Sequence, residues 1–262
     1  MEKKILYLLT CVGLCWSSCT NEVDEFIGNV EPSTRSVSTA LNANLASLFT
    51  GGAPTLTSAE FKEVNDAYAK MTSINCYRNI DEAVRNKTSY AGTIFLDDTY
   101  ASAYFRKGSL AFPPYGILAS SMEHEFIHMY QRDVQGKKVD TDKEKRDTGM
   151  MEFELAFYQG IIRYIHAGYS WTFKGEDGDP SYQSLWTSGL TDPSLIPQYE
   201  REFQTYVASI CANGKPTSID INEFVKWSNI FGEYSRGYSG KGYKFGNYDY
   251  GTSCINSLLK LY

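Results

Sequence analysis

Apolar and polar positions alternate along the chain in a way that sorts it into elements. Lys3 and Lys4 precede a mostly apolar run, Ile5–Trp16. That run has the size of a signal-peptide core and falls short of the ~20 apolar residues that span a bilayer. Residues 20 to about 55 are rich in Ser, Thr, Asn and Gly and read mostly as a tether, with one short helix at Val37–Leu48. Thr57-Ser58-Ala59-Glu60 has the spacing of a capping box, and Phe61, Val64, Tyr68 and Met71 follow at helical spacing. Together they predict a helix of about 15 residues. A second short helix is expected around Ile80–Arg85.

Thr93–Leu96 predicts a strand between Gly92 and Asp97-Asp98. Ala101–Arg106 and Ser109–Phe112 predict a hairpin that turns at Lys107-Gly108 and ends at Pro113-Pro114. A helix then runs from about Gly116 to Asp133. Gly136–Gly149 is charged and poor in apolar residues, so it reads as an exposed loop. The next helix is predicted from Met150 to about Ala167, with Gly168 as its stop. Trp171–Pro193 reads as loop. Pro193–Ala212 places Ile196, Tyr199, Phe203, Tyr206, Val207 and Ile210 on one helical face, and Asp220 is a good N-cap for a helix carrying Phe224, Trp227 and Phe231. Gly232–Gly251 reads as a Gly/Tyr-rich loop, and Cys254–Tyr262 as a closing helix. The expected class is α+β, with a small antiparallel sheet and a mainly helical C-terminal part.

The 262 residues carry a net charge of −6. An acidic chain without a basic patch argues against nucleic acid as a partner. Its 20 Tyr and 14 Phe supply a core and also suit a surface that touches polymers. Cys11 and Cys15 fall in the signal segment. Cys76, Cys211 and Cys254 have no CxxC spacing and leave room for one disulfide of undetermined pairing plus a thiol. The domain scheme is a signal peptide at 1–18, a tether at 19–55 and one folded domain at 56–262.

Ser17-Ser18-Cys19 resembles the lipobox of bacterial lipoproteins, although Trp16 departs from the usual Leu. The resemblance implies cleavage before Cys19, a lipid on Cys19 and anchoring to the outer membrane of the cell envelope. Plain secretion is the alternative. The acidic stretch after Cys19, Thr-Asn-Glu-Val-Asp-Glu, resembles the surface-export signal of Bacteroidetes lipoproteins.

The chemistry concentrates at His124-Glu125-Phe126-Ile127-His128. Histidines four apart on a helix share a face and can hold one zinc ion, and Glu125 beside them can act as general base on a zinc-activated water. The competing reading is two histidines that only cap or pack. A catalytic zinc needs a third protein ligand. Glu152 and Glu154, in Met151-Glu152-Phe153-Glu154-Leu155-Ala156, are the candidates. They stand about 200° apart on a helix, so only one can face the metal. The face of Glu154 also carries Phe157, Tyr158, Ile161 and Ile165 and is the more apolar, which favours Glu154 as the inward one. A ligand role for His166 survives only if it replaces the glutamate, as in SprT-like proteins. Tyr130, Tyr158, Tyr234, Tyr238, Tyr243, Tyr248 and Arg236 are all candidates to support an oxyanion, and the sequence does not choose among them.

The order strand, strand, HExxH helix, Glu-bearing helix over about residues 92–168 resembles the gluzincin group of zincin metallopeptidases. Position 134 is Val, so the metzincin pattern is absent. The Met151–Ala156 segment also resembles the second motif of integral-membrane and ImmA-type zinc peptidases, which place the ligand at the first Glu and so prefer Glu152, while Leu155 and Ala156 depart from that motif. The resemblance implies zinc, an extended peptide substrate paired to an edge strand at Ala101–Arg106 or Ser109–Phe112, and peptide-bond hydrolysis. The alternative is a surface lipoprotein that binds glycan or protein on a zincin scaffold without turnover.

Overall fold

The computed structural model describes residues 40–137, 145–166, 191–212, 215–235 and 238–262. The signal segment, Cys19, the first part of the tether, Arg236 and most of the 171–193 loop lie outside the described residues. The chain is α+β and mostly helical, and among the described residues no helix is long and apolar enough to cross a membrane. It divides into two compact units.

The first unit comprises the described residues up to 137 together with Ser257–Tyr262. Helix α1 (Ala43–Leu48) is capped by Asn42, whose side chain accepts the Asn44 N–H at 2.9 Å. Leu45, Leu48 and Phe49 are buried, so this stretch is packed core and not tether. In α2 (Ser58–Ser73) the capping box closes in both directions: the Thr57 N–H donates to Glu60 at 2.6 Å and the Glu60 N–H to the Thr57 hydroxyl at 3.4 Å. Helix α3 (Asn75–Lys87) is longer than its apolar pattern suggests. The pattern is broken at Asp81, which is buried and holds the Tyr68 hydroxyl at 2.8 Å and Arg85 at 2.9 Å.

Strands β1 (Ile94–Leu96), β2 (Tyr104–Arg106) and β3 (Ser109–Phe112) form a sheet in the order β1-β3-β2. Strands β2 and β3 make the expected hairpin; Lys107 (φ 51°) and Gly108 (φ 78°) both take the left-handed conformation of a tight two-residue turn. Strand β1 pairs parallel with β3, so the sheet is mixed and not antiparallel as expected. The physical reason is burial. Leu110, Ala111 and Phe112 are all buried, and that apolar run takes the centre with a partner on each side. Gly92 lets the β1 and β3 backbones meet, since a Cβ there would stand 2.2 Å from the Gly108 carbonyl oxygen.

Helix α4 (Ala119–Met129) packs on α2, α3 and β2 and passes into a π-helical turn at Tyr130–Val134. The Gln135 N–H reaches the Tyr130 carbonyl at 3.0 Å, the wider hydrogen bond that defines such a turn.

The second unit holds the described residues from 145 to Asn256. Helix α5 (Lys145–His166) begins inside the stretch expected to be loop. The Gly136–Gly149 reading fails from Lys145 onward because Tyr243, Lys244 and Phe245 cover the Gly149 position: a Cβ there would lie 2.8 Å from the Lys244 carbonyl oxygen. Helix α6 (Ile196–Ile210) and helix α7 (Ile221–Tyr234) pack on α5. Asp220 caps α7 by accepting the Asn222 and Glu223 N–H groups at 2.8 and 3.4 Å. Gly232, expected in a loop, lies in α7 against Phe245. An aromatic core joins the three helices, with ring centroids of Phe153–Phe224 at 5.0 Å, Phe157–Phe203 at 5.2 Å and Phe203–Trp227 at 5.3 Å. Tyr248–Tyr250 forms a 3₁₀ turn, and α8 (Ser253–Lys260) closes the chain. Cys76, Cys211 and Cys254 are buried thiols, so the disulfide allowed by the sequence is not formed among them.

Candidate metal centre

The site begins with helical spacing. One turn of α4 separates His124 from His128, and their rings meet edge to face with centroids 4.7 Å apart. The two Nε2 atoms are 3.1 Å apart. Two nitrogens bound at 2.0–2.1 Å to a tetrahedral metal stand about 3.3 Å apart, so the pair is set close to a chelating geometry. The Nδ1 of His128 is 2.8 Å from Oε1 of Gln131, which is fully buried. An amide oxygen only accepts, so this contact calls for the proton on Nδ1 of His128. Glu125 is on the same helix and only 3% exposed.

On α5 the two candidate glutamates part company. Glu152 is half-buried and accepts the Tyr238 hydroxyl at 2.7 Å. Glu154 is 0% exposed and accepts the Tyr250 hydroxyl at 2.7 Å. Burial, and then the charge of Glu154, push the Tyr250 phenol well above its ordinary pKa. Tyr250 in turn stacks on Phe224 of the aromatic core. The apolar face of α5 therefore carries Glu154 into the core of its own unit.

His124, His128 and Glu152 offer ligand atoms that all lie within 4.8 Å of one another, a group that could hold a metal ion. Two neutral imidazoles and one carboxylate suit a divalent transition metal. The fit is supported by the paired Nε2 atoms and by the Gln131 oxygen at Nδ1 of His128, a partner that suits an Nε2 lone pair on that ring. Glu154 is not in this group. Helix α5 runs unbroken from Glu152 to His166, which puts them ~21 Å apart along its axis.

Of the hydroxyls weighed as oxyanion donors, Tyr238 is bonded to Glu152, Tyr130 and Tyr158 are buried, and Tyr248 is exposed. Gln131, Tyr238 and Tyr250 were not recognised as partners of these side chains. Gln131 had a usable signal, its position one helical turn beyond His128. The two tyrosines had none, because their contacts are remote in sequence. No family model, curated protein or solved structure matches the chain.

Proposed function

We propose that this protein is a zinc-dependent metallopeptidase of gluzincin type, with His124, His128 and Glu152 holding the zinc and Glu125 as general base. The observation that carries the reading is the His124–His128–Glu152 group on an intact HExxH helix. Zinc held there supplies Lewis acidity toward a water and toward the carbonyl of the scissile bond. Glu125 takes one proton from that water as its oxygen adds to the carbonyl carbon. It returns the proton to the amide nitrogen as the C–N bond breaks, so water is consumed and an acid and an amine leave. Glu125 is buried beside the two histidines on the same helix.

The substrate in this reading is an extended peptide. Strand β3 is excluded as its docking edge because it is central in the sheet, paired on both sides. Among the described residues strand β2 is an edge strand, with one backbone side for a guest. In this reading a lipid on Cys19, suggested by the lipobox-like Ser17-Ser18-Cys19, holds the protein at the outer membrane.

A second reading, a surface lipoprotein that binds glycan or protein without turnover, has exposed Tyr100, Tyr115 and Tyr248 in its favour. Two measurements separate the readings. Elemental analysis should find one zinc per wild-type chain, lost in Glu152→Ala and kept in Glu154→Gln. A labelled peptide library should be cut by the wild type and not by Glu125→Gln. Zinc without cleavage by either form supports the binding reading, and no zinc after reconstitution refutes the metal centre.

A further inference from the structure

We infer that Gln131 is a positioning residue for His128: its amide oxygen locks the imidazole in the Nδ1–H form, which aims the Nε2 lone pair into the metal position. The inference rests on the metal reading above. Gln131 is fully buried, and a buried amide must find partners for its polar atoms. Its Oε1 lies 2.8 Å from Nδ1 of His128. A neutral imidazole has one N–H, so a proton held on Nδ1 leaves Nε2 as an acceptor. Across the 3.1 Å gap His124 Nε2 is then the donor when no cation lies there.

The backbone at Gln131 departs from the regular α-helix. The residue sits in the π-helical turn, where the Gln135 N–H skips to the Tyr130 carbonyl and the Gln131 carbonyl instead takes the Lys137 N–H at 2.9 Å. Two residues on, Asp133 pins the turn. It accepts the Tyr90 hydroxyl and both Nε and Nη2 of Arg132, the latter at 2.9 and 2.6 Å. The Arg132 guanidinium lies 4.3 Å over the Phe105 ring of β2. The wide turn thus has an anchor of its own on the strand layer. Such turns cost regular hydrogen bonding and persist where a side chain must be re-aimed.

The test uses purified full-length chain in three forms: wild type, Gln131→Glu, which keeps an acceptor, and Gln131→Leu, which keeps the shape without one. Nitrogen-15 NMR of the metal-free protein, at a pH above the imidazole range, reads the tautomers. A chelator competition reads zinc affinity. Expected are a His128 proton on Nδ1 in wild type and Gln131→Glu, mixed tautomers in Gln131→Leu, and zinc affinity 10–100-fold weaker in Gln131→Leu alone. A wild-type His128 protonated on Nε2 overturns the inference, and that readout needs no variant to fold. So does Gln131→Leu with unchanged tautomer and affinity, or an equal loss in Gln131→Glu. A wild type with the locked tautomer and no zinc uptake supports the lock and refutes the metal reading instead.

Discussion

Helix α5 carries two glutamates two residues apart, each receiving one phenol at 2.7 Å, and removing one hydroxyl from each tyrosine has opposite expected consequences. Tyr250→Phe withdraws a donor from Glu154, a carboxylate with no exposure to water. A hydrogen bond to a charged group of this kind contributes ~1.5–3 kcal/mol, so the loss should be about 2 kcal/mol, roughly thirtyfold in the folding equilibrium. Tyr238→Phe withdraws the same group from Glu152, which is half-buried and can recruit water, so the stability loss should stay under about 1 kcal/mol. Glu152 is the proposed metal ligand, however, and losing the partner that orients it should weaken zinc binding by about tenfold. Amide exchange along α7, whose Phe224 stacks on Tyr250, reads the stability of this unit, and chelator competition reads zinc affinity. Tyr250→Phe should accelerate exchange and spare zinc. Tyr238→Phe should spare exchange and weaken zinc. If Tyr250→Phe instead weakens zinc with α7 protection intact, Glu154 is the ligand and the assignment of the two glutamates is wrong.

Three further outcomes are expected. Burial raises the phenol pKa of Tyr68, Tyr90, Tyr206 and Tyr250, so the native state keeps these protons longer than the unfolded chain does. Stability is then fully present below the unfolded value of ~10 and falls as pH rises through the raised values, by up to ~1.4 kcal/mol per pH unit for each group. Tyrosinate absorbance recorded with far-UV dichroism should show these phenols ionising together with loss of helix; complete ionisation with helix intact would contradict their burial. Gly92→Ala forces a Cβ to 2.2 Å from the Gly108 carbonyl oxygen, a backbone clash at the β1–β3 junction. It should cost at least the ~1–3 kcal/mol of overpacking, and an unchanged melting temperature would refute that contact. Burial pushes the Cys211 thiol up to about 11, so it should resist thiol reagents near neutral pH until denaturant is added. Rapid labelling of Cys211 in the native protein, read by mass spectrometry, would refute its placement.

Features written in neighbouring residues were legible in the sequence. The capping box at Thr57–Glu60, the Asp220 cap and the Lys107-Gly108 turn each depend on a few adjacent side chains, and all three form as expected. Features set by distant contacts were not. The start of α5 reads as loop because Lys145–Thr148 is polar and Gly149 looks like a stop, yet Tyr243–Phe245 arrives from almost a hundred residues away to cover it. The parallel pairing of β1 depends on which strand is buried on both sides, which hairpin signals do not encode. Asp81 interrupts the apolar face of α3 and hides its full length from the pattern, and Tyr68 and Arg85 make that buried carboxylate tolerable.

The candidate site divides along the same line. The residues of the HExxH turn are local, so His124, Glu125 and His128 stand out. The proposed third ligand, Glu152, is not local to that turn. The apolar stripe of α5 locates a core, and Glu154 on that stripe goes into the core with Tyr250. A metal ligand needs access as well as enclosure, so it belongs on the flank of the stripe, half-buried, where Glu152 is. Glu125 shows the other half of the argument. It shares α4 with the two histidines and is nearly as buried as Glu154, and in the proposed mechanism it handles a proton and not a cation. Where a helix presents two carboxylates of unequal burial, the less buried one is the better ligand candidate, and the more buried one should first be tested for a phenol or amide partner in the core.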